Sequence, residues 1–492
     1  MKRFMVFLAV LLIAATALAA CGYSFKKLDG GPVEGDSVQY NGSLAVKKGN
    51  YVYAVNGTGT QSAENDFGKP IKGAIIRFEL DANGLPKEGS AQIAAPKLFY
   101  SSYAKAGLYI FGNTLYYLSP SLELDKNRNV LYNYTDVFSV NLDGTGTKQI
   151  VAGITSSSFA YKFYQADSTV YMVYALDGKL HSLDTSSGKT SVISRDLSDK
   201  EISYTNTPVF AKDAVYYTYD IEKTGPNQQG TYEKYNAFVK VAPNGGTPVQ
   251  ILDKNDKPLT LKYNPYGQTP GYTTDEAGAI LKVTPTFVTD GGDIFYSRTE
   301  GSATYVYVMN AEGNIKLLTM LSLTEQQPLS YEDGLLGKVT DSASSTKFVI
   351  VKNTKTIFEK QYEDNTTLST LLKGTYTALY TLSEDGGTKL YFTDSDSVLN
   401  KIDLTADGET TEKQHVAVTK SKVSTTLKPV VFNAFTLFIT SSGDFTGYLN
   451  YALTDEDGKV TEPQERGYFG VLNSTDQERL DEIIAEEEED AE

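Results

Sequence analysis

Two histidines, His181 and His415, and one cysteine, Cys21, are the whole complement of imidazole and thiol groups in 492 residues. A multi-histidine metal site is excluded. One cysteine also excludes an internal disulfide framework and a multi-cysteine zinc centre. Both histidines fall inside alternating strand patterns of separate repeats, which reads as packing or surface rather than catalysis. No Gly-x-Ser-x-Gly elbow is present. Ser187-Gly188-Lys189-Thr190 copies the end of a phosphate loop, but Leu183 stands where its first glycine belongs and a strand follows in place of a helix. Asp125, Asn127, Asn129 and Asp136 have the spacing of a calcium loop. Val130 replaces the glycine of its sharp turn, and Lys126 and Arg128 oppose a cation, so a polar hairpin loop is the better reading. The 61 acids offer many carboxylate pairs for glycosidic chemistry, and spacing in sequence fixes none of them in space.

What remains is binding chemistry. Tyrosine is abundant (35 residues) and tryptophan absent. Tyr132, Tyr134, Tyr235 and Tyr266 lie in polar insertions beside amides and acids, a combination that suits a sugar or an extended peptide. They are the candidate ligand-binding residues. No cofactor motif is present, and neither a cofactor nor a metal is expected.

The N-terminus carries an address. Met1-Lys2-Arg3 is a short basic region and the apolar run from Phe4 to Ala20 reads as a secretory signal. Leu18-Ala19-Ala20-Cys21-Gly22 resembles the bacterial lipobox, in which cleavage before the cysteine leaves its thiol to carry lipid. The expectation is an extracytoplasmic protein held to a bacterial membrane through lipid on Cys21; diacylation supplies the two chains that stable anchoring needs. Gly22–Asp36, rich in Gly and Lys and without alternation, reads as a flexible tether. The formal charge is −16, and ten acids against one Arg in Asp476–Glu492 account for nine of it. The body has no basic stripe, which argues against nucleic acid.

The elements that must position these residues are strands. Ser157–Ser194 contains four runs of alternating apolar and polar residues: Ser157–Tyr164, Thr169–Ala175, Lys179–Leu183 and Lys189–Ser194. Period-2 alternation predicts half-buried strands, and Asp177-Gly178 predicts a tight hairpin, because both central residues need positive φ. One four-stranded antiparallel meander results, and its landmark, an apolar strand running into an Asp/Asn-Gly turn, recurs. Ile76–Leu80, Val137–Leu142, Leu180–Leu183, Phe238–Ala242, Tyr305–Met309, Phe348–Val351, Leu399–Leu404 and Leu449–Leu453 carry it, the sixth without its glycine. The spacing is that of propeller blades.

A blade cannot bury both faces alone, so the units must stack. The expectation is an all-β fold: a single β-propeller of eight (or seven) four-stranded blades over residues 38–467. Residues 1–20 form the signal, 21–37 the lipidated tether, and 468–492 a short helix with an acidic tail. An N-terminal strand near Val38–Val46 is expected to complete the last blade. Apolar-Tyr-Tyr strands followed by strands ending in Asp-Gly resemble the Tyr-rich propeller repeats of bacterial lipoproteins, described as similar to the low-density-lipoprotein-receptor-related propeller. The resemblance covers most of the body but is one of repeat style and carries over no site residue.

Four long insertions interrupt the pattern: Asn56–Lys72, Ser119–Tyr134, Asp220–Tyr235 and Asp253–Ala279. The first three join second and third strands; the last joins two blades. In a meander both kinds of connection leave the same end of the sheet, so the insertions should crowd one rim, where binding loops concentrate. This predicts a non-catalytic binding module for a glycan or protein ligand. The alternatives are a propeller-type glycoside hydrolase or polysaccharide lyase, needing converging acids, and an envelope-assembly scaffold that pairs strand edges. Ser474 and Gln477 form a capping box for the tail helix, and Glu486–Asp490 should be frayed by mutual repulsion.

Overall fold

A computed structural model of the chain describes most of residues 27–319, with breaks at 36, 58–73, 88, 96–106, 122–133, 156–158, 225–231, 258, 260, 264–281, 290 and 301–302; beyond 319 it describes residue 432 and the strands given below. Everything regular in it is strand, arranged in eight antiparallel sheets whose members follow chain order. The fold is all-β and its sheets are β-propeller blades. Blade one contains Val38–Gln39, Ala45–Lys48, Tyr51–Val55, Ile75–Glu79 and Gln92–Ala95. Blade two follows with Tyr109–Phe111, Thr114–Pro120, Thr135–Asn141 and Lys148–Ile154. Blade three is Tyr161–Ala166, Thr169–Leu176, Lys179–Asp184 and Thr190–Val192. Blade four is Val209–Phe210, Val215–Thr224, Tyr232–Val241 and Val249–Gln250, with Leu261–Tyr263 added to its third strand. Blade five is Lys282–Val288, Ile294–Glu300, Ala303–Met309 and Ile315–Thr319. Blade six is Leu329–Tyr331, Gly334–Thr340, Thr346–Val351 and Glu363–Asp364. Blade seven is Tyr376–Glu384, Gly387–Asp394, Val398–Leu404 and Gln414–Val418. Blade eight shows three strands, Val430–Val431, Phe435–Ile439 and Phe445–Leu449.

Blade three matches its sequence pattern closely. Leu176 pairs with Lys179 across the hairpin, and Asp177 (φ 50°) and Gly178 (φ 74°) both take the left-handed conformation that the turn requires. Its strands, however, are buried on both faces, since Val173 and Leu180 face blade four while Phe163, Met172 and Leu183 are also buried. Blade four shows why. Val215, Tyr217 and Tyr219 pack into the core shared with blade three, while Tyr216 packs into the core shared with blade five. Alternate residues of one strand therefore serve different neighbours, and a polar face is not needed.

The chain divides into two compact units, one formed by residues 1–158 with 416–492 and the other by 159–415. In the first, Tyr51, Tyr53 and Val55 pack toward blade two and Val52 and Ala54 toward blade eight. Blade eight meets blade one by faces rather than by a shared strand. Val430, Phe432, Phe435 and Leu437 join the core of Val52, Ile76 and Phe78, with Tyr40 edge-on to Phe432 at 5.1 Å between centroids. The expected strand exchange is thus corrected. Tyr40 (φ 62°) and Gly42 (φ 92°) reverse the chain, so Val38–Gln39 pairs with Lys47–Lys48 inside blade one. Two further corrections concern lengths. The third strand of blade eight is Phe445–Leu449, ending where the sequence reading began it, because Ile439 already pairs with Phe445. Asp220–Tyr235 is mostly ladder, paired from Asp220↔Asn236 to Thr224↔Tyr232. The tail helix and acidic tail lie outside the described residues.

Candidate functional site

The two ends of the blades are different in kind. In unit one the insertion after Val55 leaves from the end where Val55 pairs with Ile75, and the insertion after Pro120 from the end where Pro120 pairs with Thr135. In unit two the other two insertions are joined directly. Leu261–Tyr263, from Asp253–Ala279, pairs with Asn236–Lys234 at the root of the Asp220–Tyr235 hairpin. It is the edge of the third strand that carries Val249–Gln250 lower down. A second tie precedes it. Asp253 accepts the amides of Asn255 (2.8 Å) and Lys257 (2.9 Å), and Lys254 N–H donates to the Gly313 carbonyl of blade five at 2.9 Å.

Of the candidate binding tyrosines, Tyr134 is half-buried just before the third strand of blade two, where its carbonyl accepts from Ser121 N–H at 3.0 Å. Tyr235 stands in register between Ile221 and Lys262. Tyr132 and Tyr266 lie outside the described residues, as do Cys21 and Asp125–Asn129. Asp136, the last acid of the calcium-like spacing, is buried and accepts from Gln149 Nε2 and Gly153 N–H, each at 2.8 Å, across an irregular stretch of the ladder. It is committed to the fold. His181 stacks on Tyr174 with centroids 5.1 Å apart, and its burial lowers the imidazole pKa from the usual value. His415 lies in Gln414–Val418. Among the described residues no group of three or more His, Cys, Asp or Glu is placed to hold a metal.

The opposite end of blades one and two carries a built site that the sequence reading missed. Residues 27–33, assigned by composition to the tether, lie as a strap across both blades. Leu28 is buried in their shared core and its N–H donates to Asp143 O at 2.8 Å. Asp29 is fastened through its backbone, receiving Gln92 Nε2 (3.1 Å) and donating to Gln92 Oε1 (2.7 Å). Gly144 (φ 79°) is required there, because a Cβ would come within 2.8 Å of Leu28.

Under the strap sits Arg77, in the middle of Ile75–Glu79 and 2 % exposed. Its Nη2 donates to the Asp29 carbonyl and its Nη1 to the Leu142 carbonyl at 3.4 Å. The guanidinium lies 4.4 Å from the centroid of the Tyr51 ring, and Nε has no partner. Among the described residues no carboxylate lies within ion-pair distance of it. Tyr53 also donates to Leu142 O, at 2.5 Å; burial raises its pKa far above the usual range, against the opposing pull of Arg77. Beside these groups opens a cavity of about 420 Å³, bordered by Lys27, Gly30, Gly31, Asn113, Asn141 and Asp143. The sequence held no signal for it, because Arg77 falls on the polar register between Ile76 and Phe78 and is buried by blade two and the strap.

No family model matches the chain, and no curated protein does. Among solved structures, dipeptidyl peptidase 4 of Porphyromonas gingivalis is similar at 9 % identity and a TM-score of 0.42, covering 91 % of this chain and 61 % of its own. A puromycin-hydrolyzing peptidase of Mycobacterium tuberculosis gives 12 % and 0.37, covering 75 % and 54 %. The β-propeller domain of the trilobed protease from Pyrococcus furiosus, described as having an open velcro topology, gives 10 % and 0.33, covering 76 % and 97 %. The chain matches about half the length of several such peptidases. At these identities no catalytic residue transfers, and the fold assignment rests on the strand pairing described above.

Proposed function

We propose that this chain is a lipid-anchored, extracytoplasmic β-propeller module that binds a glycan or peptide on its insertion-bearing end and performs no chemistry of its own. The observation that carries the reading is the ladder of Leu261–Tyr263 on Asn236–Lys234, which fuses two insertions into one raised three-stranded element. Tolerated surface drift does not require two insertions to pair, whereas a rigid display surface does. Tyr235, in register between Ile221 and Lys262, is the candidate aromatic residue of that element. The anchor is supported by the sequence, through Leu18–Gly22 and an otherwise cysteine-free chain.

Two experiments test it. The Cys21→Ala chain should incorporate no labelled fatty acid and should leave the membrane fraction or remain unprocessed; continued labelling would contradict the anchor. The full chain on a glycan and peptide array should give discrete binders, and release of shortened saccharides or peptides from them would instead support the hydrolytic alternative.

A further inference from the structure

We propose that the cavity beneath the strap binds a small oxyanion, a carboxylate or phosphate on a molecule of about monosaccharide size, with Arg77 as its principal charge. This site stands apart from the insertion end and does not depend on the reading given for it.

A guanidinium has five N–H donors, and burial of its charge is costly unless it is compensated. Arg77 spends donors on two backbone carbonyls and leaves Nε without a partner. The Tyr51 ring offers only partial compensation. Asp143, the one acid bordering the cavity among the described residues, is already engaged. Asp143 Oδ1 accepts from Thr145 Oγ1 (2.6 Å) and Thr145 N–H (3.1 Å), and Oδ2 faces Lys27 Nζ at 3.8 Å. Among the described residues, Arg77 and Lys27 against Asp143 leave the lining with one excess positive charge.

About 420 Å³ is within the range of small-molecule sites. Gly30 and Gly31 present no side chain to the cavity between Leu28 and Pro32, and a Cβ at Gly31 would meet nothing within 4 Å. Asn113 accepts from Lys48 Nζ through Oδ1 at 3.4 Å, which leaves its amide N–H groups for a ligand. The arrangement of a guanidinium, an ammonium and an amide at a pocket wall is that of carboxylate and phosphate recognition.

The test is a calorimetric titration of the full chain in detergent with D-glucuronate, inorganic phosphate and, as neutral control, D-glucose. Glucuronate or phosphate should bind and glucose should not, and whichever anion binds more tightly identifies the source of the charge. Because Arg77→Met removes a bond that fastens the strap through Asp29, the decisive variant is Gly31→Leu, which keeps Arg77 and fills open space. It should weaken anion binding by roughly tenfold or more, the scale of losing charge-assisted hydrogen bonds, with the unfolding midpoint unchanged. Removing residues 225–231 at the insertion end should leave anion binding intact. No heat from either anion up to roughly 10 mM, equal binding of glucose, or undiminished binding in Gly31→Leu would overturn the proposal.

Discussion

The two ends of blades one and two have been treated differently by the chain. At one end the connections after Val55 and Pro120 are long and polar. At the other, Asn113 and Asp143 sit in short turns, and the strap crosses them with Leu28 in the core. The long-loop end holds the candidate contact residues that the sequence offers. The strap end is fastened by side chains whose removal the fold must feel. Aromatic abundance pointed toward the first end, while the cavity and the buried charge belong to the second. Long insertions and built pockets are therefore separate signals, and only the first is written in composition.

The largest effect should come from the core that serves both ends. Phe435 is fully buried between blades eight and one, so Phe435→Ala should cost about 3–5 kcal/mol in urea unfolding. A change below about 1 kcal/mol would mean that blade eight does not stabilise blade one. Next comes the strap. Leu28→Ala should cost about 2–3 kcal/mol and expose residues 27–33 to protease. Unchanged protection would show that the backbone bonds of Asp29 hold the strap without Leu28, and the contrast between the ends would weaken. Replacing residues 58–72 by a short Gly-Ser link should shift stability by about 1 kcal/mol or less, because loop length enters closure entropy only logarithmically. A loss as large as that of Leu28→Ala would make the insertion end structural as well.

The smallest effect belongs to a short turn in unit two. Ser186 and Ser187 donate to Asp184 and lower its carboxyl pKa to about 2 from 3.8. A lowered folded pKa gives stability that is present above about pH 4 and lost as pH falls through about 2. The turn is open to solvent, so Asp184→Asn should remove only a few tenths of a kcal/mol of that acid dependence. An unchanged acid limb would show the turn to be held by its backbone alone.

The blades were legible in the sequence because they rest on local chemistry. Asp177-Gly178 and the flanking alternation contain their own hairpin geometry, and seven of the eight landmark strands fall where the pattern put them. Burial was less legible. Alternation at Val215–Tyr219 cannot show that both faces have apolar neighbours, since the neighbours come from other blades. The strap was misread for the same reason. Gly30-Gly31-Pro32 has the composition of a linker, and its docking depends on Arg77, Gln92 and Asp143, far along the chain. The pairing of Leu261–Tyr263 with Asn236–Lys234 is likewise non-local, so two insertions read as separate loops prove to be one element.

The central claim is that ligand is held by the insertion-bearing end, and the most direct measurement is the affinity of an array-identified ligand for two variants. One replaces residues 225–231 by a two-residue turn and substitutes Tyr235→Ala; the other is Gly31→Leu. The account expects the first to weaken binding by at least about a hundredfold, the scale of losing an aromatic anchor, and the second to leave it unchanged, with both unfolding near the parent midpoint. Unchanged affinity in the first variant, with loss in the second, would move the function to the strap end and contradict the claim.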